Sequence, residues 1–115
     1  MSPLRLLILL PLLSCIVQHS SAQEPKVIHA YAVGNWRNGP VVYITPLFAT
    51  TEAFTTPMLL ARVRQDYPEF KDITDIEVQR FATAEEGELS RRELKAKYRV
   101  RQLEVRMVEA PPTRP

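Results

Sequence analysis

The 35 residues from Asp75 to Glu109 constrain the fold more than any other part of the chain. Ile76-Glu77-Val78 alternates apolar and polar, Thr83-Ala84-Glu85-Glu86 opens a charged helix, and Leu103-Glu104-Val105-Arg106-Met107 alternates again. A period of two, then of 3.6, then of two spells strand, helix, strand. Thr83 and Glu86 form a capping box. Glu88 with Arg92 and Glu93 with Lys97 are i, i+4 pairs in the favourable order. Gly87, Ser90, Leu94 and Tyr98 mark a thin packing face, with small residues at its start.

Upstream, Val27–Val33 and Val41–Phe48 are rich in β-branched and aromatic residues, with Asn38-Gly39 between them. Asn-Gly in that setting signals a two-residue type I′ hairpin turn. Such a turn pairs residues whose numbers sum to 77, so Val33 faces Ile44 and His29 faces Phe48. The core face then carries Val27, His29, Tyr31, Val33, Val42, Ile44 and Phe48. The outer face carries Ala30, Ala32, Gly34, Trp36, Val41, Tyr43 and Thr45. Thr56-Pro57 is a cap followed by a proline suited to the first helical position, and Leu59, Leu60, Val63 and Tyr67 recur at helical spacing until Pro68. Phe-Ala-Thr-x-Glu occurs at Phe48 and again at Phe81, which reads as the same strand exit used twice.

The expected fold is α/β, an α+β two-layer sandwich in the order β-β-α-β-α-β. Right-handed crossovers are expected to place both helices on one face of a four-stranded mixed sheet. Residues 23–109 form a single domain, and Ala110-Pro111-Pro112-Thr113-Arg114-Pro115 is expected to be a disordered tail.

The first residues read as a targeting segment. Arg5 supplies a charge, Leu6 to Leu13 is apolar except for Pro11, and Ser20-Ser21-Ala22 supplies small residues for cleavage. Even extended to Val17 the apolar stretch has 12 residues, short of the roughly 20 that span a bilayer. Residues 1–22 are therefore expected to be a cleaved signal peptide, with no transmembrane span in the mature chain. Leu12-Leu13-Ser14-Cys15 resembles a bacterial lipobox and offers a second exit, in which Cys15 is lipidated and anchors the chain. Cleavage after Ala22 removes 22 of 115 residues and leaves 93 without cysteine. Small domains exported through animal or plant routes are usually rich in disulfides, so a cysteine-free one points to a bacterial envelope, periplasmic or extracellular.

No catalytic constellation is visible. His29 is the only histidine beyond the signal and falls on the expected core face, where a packed, hydrogen-bonded imidazole is the natural reading. Any Ser-His chemistry would have to use it. Clusters of histidine and cysteine that would hold a transition metal are absent. Asp72 and Asp75 suit solvated loop and strand-entry positions, and three glycines make no phosphate loop. No cofactor is expected.

Two surface features remain. From Asp66 to Glu88 there are eight acids and two bases; from Arg91 to Arg106 there are seven bases and two acids. Helix-dipole complementarity accounts for this polarity, and an anion-facing patch of Arg91, Arg92, Lys95 and Arg99 is the alternative. Nucleic acid is not an expected partner, because the chain is expected to be exported and the one aromatic among these bases, Tyr98, belongs to the packing face of the helix. The second feature is Trp36 and Tyr43, diagonal neighbours on the expected outer face, with Arg37 at the edge of the turn. They form a candidate stacking platform for a sugar or a partner side chain, against the alternative of a sheet-stabilising pair.

Val78-Gln79-Arg80-Phe81-Ala82-Thr83-Ala84-Glu85 and Arg91-Arg92-Glu93-Leu94-Lys95-Ala96-Lys97 resemble half of a sporulation-related (SPOR) peptidoglycan-binding domain. Arg80 stands where that family commonly has glycine, and here the chain begins with a hairpin. The resemblance implies a cell-wall glycan ligand. The expected function is a non-enzymatic binding or interaction module of the bacterial cell envelope, its partner an envelope protein or glycan. The alternatives are a lipid-anchored or SPOR-like glycan binder and a small exported enzyme.

Overall fold

The computed structural model describes residues 25–111. The expected signal peptide of residues 1–22, with the lipidation candidate Cys15, and residues 112–115 of the expected tail lie outside the described residues. Five strands and two helices form a mixed α+β fold around one open sheet. The strands are β1 (Val27–Gly34), β2 (Val41–Ile44), β3 (Phe48–Thr51), β4 (Ile76–Phe81) and β5 (Glu104–Met107); the helices are α1 (Thr56–Asp66) and α2 (Ala84–Val100). A 3-10 turn at Pro68–Phe70 follows α1.

β1 is central. β4 pairs antiparallel along one of its edges, β2 and β3 share the other, and β5 adds to β2 in parallel. The sheet is thus four strands wide, with its third strand broken in two. The break has a cause in the sequence. Paired residues of β1 and β2 sum to 77, as at Val33–Ile44, whereas those of β1 and β3 sum to 78, as at His29–Ala49. One extra residue has entered the strand, which is a β-bulge. Pro46 has no N–H for the ladder. Thr45 compensates: its Oγ1 accepts from the Ala32 N–H at 2.9 Å, and its own N–H donates to the Ala32 carbonyl at 2.9 Å. His29 therefore faces Ala49 and not Phe48, and it is half-buried. Phe48 begins a strand while Phe81 ends one, so the two Phe-Ala-Thr-x-Glu segments are not structural equivalents.

The hairpin turn also differs from the expected type I′ form. β1 stops at Gly34 and β2 starts at Val41, leaving a six-residue connection from Asn35 to Pro40. A two-residue turn at Asn38-Gly39 needs the N–H of residue 40 to close it, and Pro40 has none. The loop instead opens at Asn35, which takes φ 66°, a left-handed conformation asparagine tolerates. Asp75 ties it down: its carboxylate accepts from the Arg37 N–H at 2.7 Å and from Asn38 Nδ2 at 3.0 Å.

The helices lie on opposite faces, not together on one. Tyr31, Val33, Val42 and Ile44 pack with Tyr98 and Leu94 of α2, while Ala32 packs with Val63 of α1 and with Tyr67 and Phe70. Neighbouring residues of a strand point to opposite sides, so these are two cores separated by the sheet. Topology requires this. β3, β4 and β5 run in the same direction; the α1 crossover moves across β1 one way, and the α2 crossover returns across β1 and β2 the other way. Two right-handed crossovers that progress in opposite directions cover opposite faces.

Small residues set the spacing. A Cβ on Gly34 would lie 2.6 Å from Phe70, and one on Gly87 would lie 2.5 Å from Leu47. Thr55 caps α1, one residue earlier than Thr56, by accepting from the Met58 N–H; Thr83 caps α2 by accepting from the Glu86 N–H. Phe70, Leu59, Val63, Ile44 and Tyr31 are essentially inaccessible to water, and each such side chain stabilises the fold by about 1.5–3 kcal/mol.

Candidate functional site

Trp36 and Tyr43 are not neighbours on a shared face. Trp36 sits in the loop beyond β1 and folds onto the α2 side, against the core that includes Leu103 and Val105. Tyr43 projects to the α1 side. The flat platform expected of them is not formed, because the longer loop releases Trp36 from the strand's alternation. Arg37 lies over the indole, its guanidinium carbon 4.6 Å from the ring centroid.

Tyr43 does belong to a site. Its ring meets Phe70 edge-on at 6.2 Å and 65°, and Tyr67 meets the same ring at 6.3 Å and 64°. Phe70 is wholly buried and holds both tyrosines by the edge-to-face geometry aromatic rings prefer. They line a groove of about 660 Å³ between the end of α1, the 3-10 turn and β5. Its charged groups are Asp66, Glu69, Arg106 and Glu109, and Pro68 and Pro111 complete the aromatic and proline lining. Arg106 is anchored by Glu104, Nε to Oε2 at 2.7 Å; the hydrogen bond and charge of that carboxylate push its guanidinium further up. Burial raises the Tyr67 phenol, and neighbouring Asp66 adds to this. The groove is amphipathic: a tyrosine and proline floor, an acidic rim and one arginine.

The expected basic patch divides. Arg91 is committed to the fold, its Nε donating to the Thr45 carbonyl at 2.9 Å and its Nη1 bonding Glu88 at 3.1 Å. Arg92 and Arg99 are exposed and Lys95 half-buried on α2, and their i, i+3, i+7 spacing keeps them on one face.

A second hollow, about 560 Å³, lies where β3 and β4 end beside the start of α1. Lys26, Glu52 and Arg80 line it, and Arg80 Nη2 donates to Thr56 Oγ1 at 2.9 Å. Among the described residues no group of three or more His, Cys, Asp or Glu is placed to hold a metal ion, and no helix is long and apolar enough to cross a membrane.

The chain matches no family model, no curated protein and no solved structure. The SPOR resemblance rests on its own residues alone. Phe70, Tyr67 and Arg106 are not legible in the sequence as one site with Tyr43. Its spacing places Tyr67 on the apolar stripe of the helix, and nothing local shows that Phe70 sits beneath Tyr43 of β2, 27 residues earlier. The available signal was the aromatic pair Tyr67 and Phe70 around Pro68.

Proposed function

We propose that this protein is a non-enzymatic binding module of the bacterial cell envelope and that it engages its ligand through the Tyr43–Tyr67 groove. The observation that carries the reading is Phe70 holding two tyrosines edge-on in an open groove with Arg106 at its margin. Binding sites typically combine an apolar, largely preformed floor with a few placed polar groups. Export is supported by the charge, apolar run and small-residue exit of residues 1–22, and the envelope by the cysteine-free remainder.

The test is retention of the purified chain on isolated bacterial sacculi and, separately, on detergent-solubilised envelope. Tyr43→Ala and Arg106→Glu are expected to lose most of that retention, while Arg92→Glu keeps it. Arg106 is exposed, so its variant tests binding without opening the core. Retention of both groove variants at the parent level would reject the reading.

A further inference from the structure

We propose that the outer edge of β4 pairs with β4 of a second copy, joining two sheets across a two-fold axis. Ala32 gives both its main-chain groups to Thr45, its N–H to Oγ1 and its carbonyl to the N–H. Asn35, three residues on, donates its N–H to the Asp75 carbonyl instead. Successive residues of a strand bond to opposite sides, so His29, Tyr31 and Val33 bond towards β4. Their partners there are Phe81, Gln79 and Glu77. Ile76, Val78 and Arg80 therefore turn three N–H and three C=O groups away from β1. Among the described residues β4 pairs with β1 alone.

This edge lacks the usual protection. Open edges are blunted by prolines, bulges, lysines or shortness. β4 has six residues without proline or lysine, and its register with β1 runs unbroken from Ile76 to Phe81. The opposite edge, β5, has four residues, with Glu104 paired to Arg106. Arg80 is held by Thr56 Oγ1 of its own chain at 2.9 Å, which leaves Glu77 as the charge on β4 to be answered.

A second β4 answers it. Opposed residues of an antiparallel pair share a face, so a two-fold pairing sets residues of like parity against each other. With Val78 opposite Val78, Ile76 meets Arg80 and Glu77 meets Gln79 of the second copy, and every outward group of both strands is bonded. Gln79 Nε2 already donates to Glu77 Oε1 of its own chain at 2.7 Å. Its second N–H and the spare lone pairs of Glu77 link the two copies in one hydrogen-bonded ring on the α2 face. A shift of two residues one way sets Glu77 against Glu77, like charges that repel. The same shift the other way sets Glu77 against Phe81. Either shift leaves outward groups of β4 without a β4 partner.

The pairing is isologous and closes at two copies. Its axis stands perpendicular to the sheet, so both α1 helices share one face and both α2 helices the other. The two β5 strands lie about 34 Å apart, at roughly 4.8 Å per strand spacing. On the groove reading, the dimer presents two grooves on one face, at its far flanks, and holds a repeating envelope ligand with avidity.

Sedimentation equilibrium and amide hydrogen exchange on the purified chain test this. The mass is expected to reach that of two chains as concentration rises, while the Ile76, Val78 and Arg80 amides gain at least about tenfold protection. The Glu77 and Gln79 amides, bonded to β1, are expected to be protected throughout. Val78→Pro removes an outward N–H and spares the β1 ladder, and Gln79→Glu sets carboxylates against each other. Each is expected to weaken dimerisation at least about tenfold. Adding Glu77→Gln to Gln79→Glu exchanges acceptor and donor and is expected to restore the dimer, which a misfolded variant would not do. A one-chain mass at every concentration with rapidly exchanging edge amides would overturn the proposal. Edge amides protected in a one-chain species, or a dimer whose edge amides stay unprotected, would overturn it as well. A dimer that forms in full while both groove variants keep their envelope retention would reject the groove alone and leave the β4 pairing standing.

Discussion

Arg91 reaches from α2 to donate its Nε to the main-chain carbonyl of Thr45, 2.9 Å away and 46 residues earlier. Thr45 is wholly buried, and its side-chain oxygen has taken the ladder bond from Ala32. The arginine thus satisfies the carbonyl that the Pro46 bulge turns out of the sheet.

Arg91→Ala should therefore destabilise the protein by about 1–3 kcal/mol, the usual cost of stranding a buried acceptor. Its contact with half-exposed Glu88 adds little. Arg92→Ala and Arg99→Ala, on the exposed face, should stay within about 0.5 kcal/mol. Urea unfolding of the three variants checks this; equal effects would remove Arg91 from the fold's support.

Gly34→Ala and Gly87→Ala should separate. The first forces a methyl to 2.6 Å from the rigid, buried Phe70 ring, and overpacking of this kind costs about 1–3 kcal/mol. The second meets the tip of Leu47, which can rotate, and gains up to about 1 kcal/mol of helix propensity. Thermal melts should place Gly34→Ala clearly lower, and Phe70→Leu should cost less when added to Gly34→Ala than when made in the parent chain.

Stability should fall at both ends of the pH range. Slight desolvation acts to raise the Asp75 carboxyl, but hydrogen bonds from the Arg37, Asp75 and Asn38 main chain and the Asn38 side chain bring it below its ordinary value. A depressed carboxyl stabilises the fold above its unfolded value of about 3.9, and that contribution is lost as pH falls through the folded value. Burial, opposed by a hydrogen bond to Ser90, raises the Tyr31 phenol; burial also raises Tyr67 and Tyr98. Phenols raised in the folded state bind protons that the unfolded chain releases, so stability declines as pH climbs past about 10. Denaturant midpoints across pH should show both limbs, and Asp75→Asn should flatten the acid one.

The strand–helix–strand unit was legible because its pattern is local: β4, the Thr83 cap and α2 lie where the periodicity of residues 75–109 puts them. The hairpin register at Val33–Ile44 was legible as well. What escaped depends on distant partners or on a missing N–H. Pro40 widened the loop, and Pro46 broke the third strand. The reversal of crossover direction, which no single segment encodes, sent α1 and α2 to opposite faces. Tyr43 was singled out as a site residue, yet its companions in the groove are Tyr67 and Arg106, brought there by the sheet order. Trp36 went to the other side.

Trp36 should accordingly prove structural. Among the described residues its buried Nε1 has no hydrogen-bond partner, so Trp36→Phe forfeits no hydrogen bond to them and should cost less than the roughly 3–5 kcal/mol typical of Trp→Ala. Retention of Trp36→Phe on the envelope should match the parent chain. A selective loss of retention with an unchanged melting temperature would return the indole to the binding surface.

The most direct test of the account places a photo-activated crosslinking residue at one of two positions in the protein within its own cells. Position 69 lies on the groove rim, and position 92 lies on the exposed basic face of α2 on the opposite side of the sheet. The account predicts a discrete higher-mass adduct from position 69 and none from position 92. An adduct from position 92 alone would move the contact to the basic stripe and contradict the groove as the binding site.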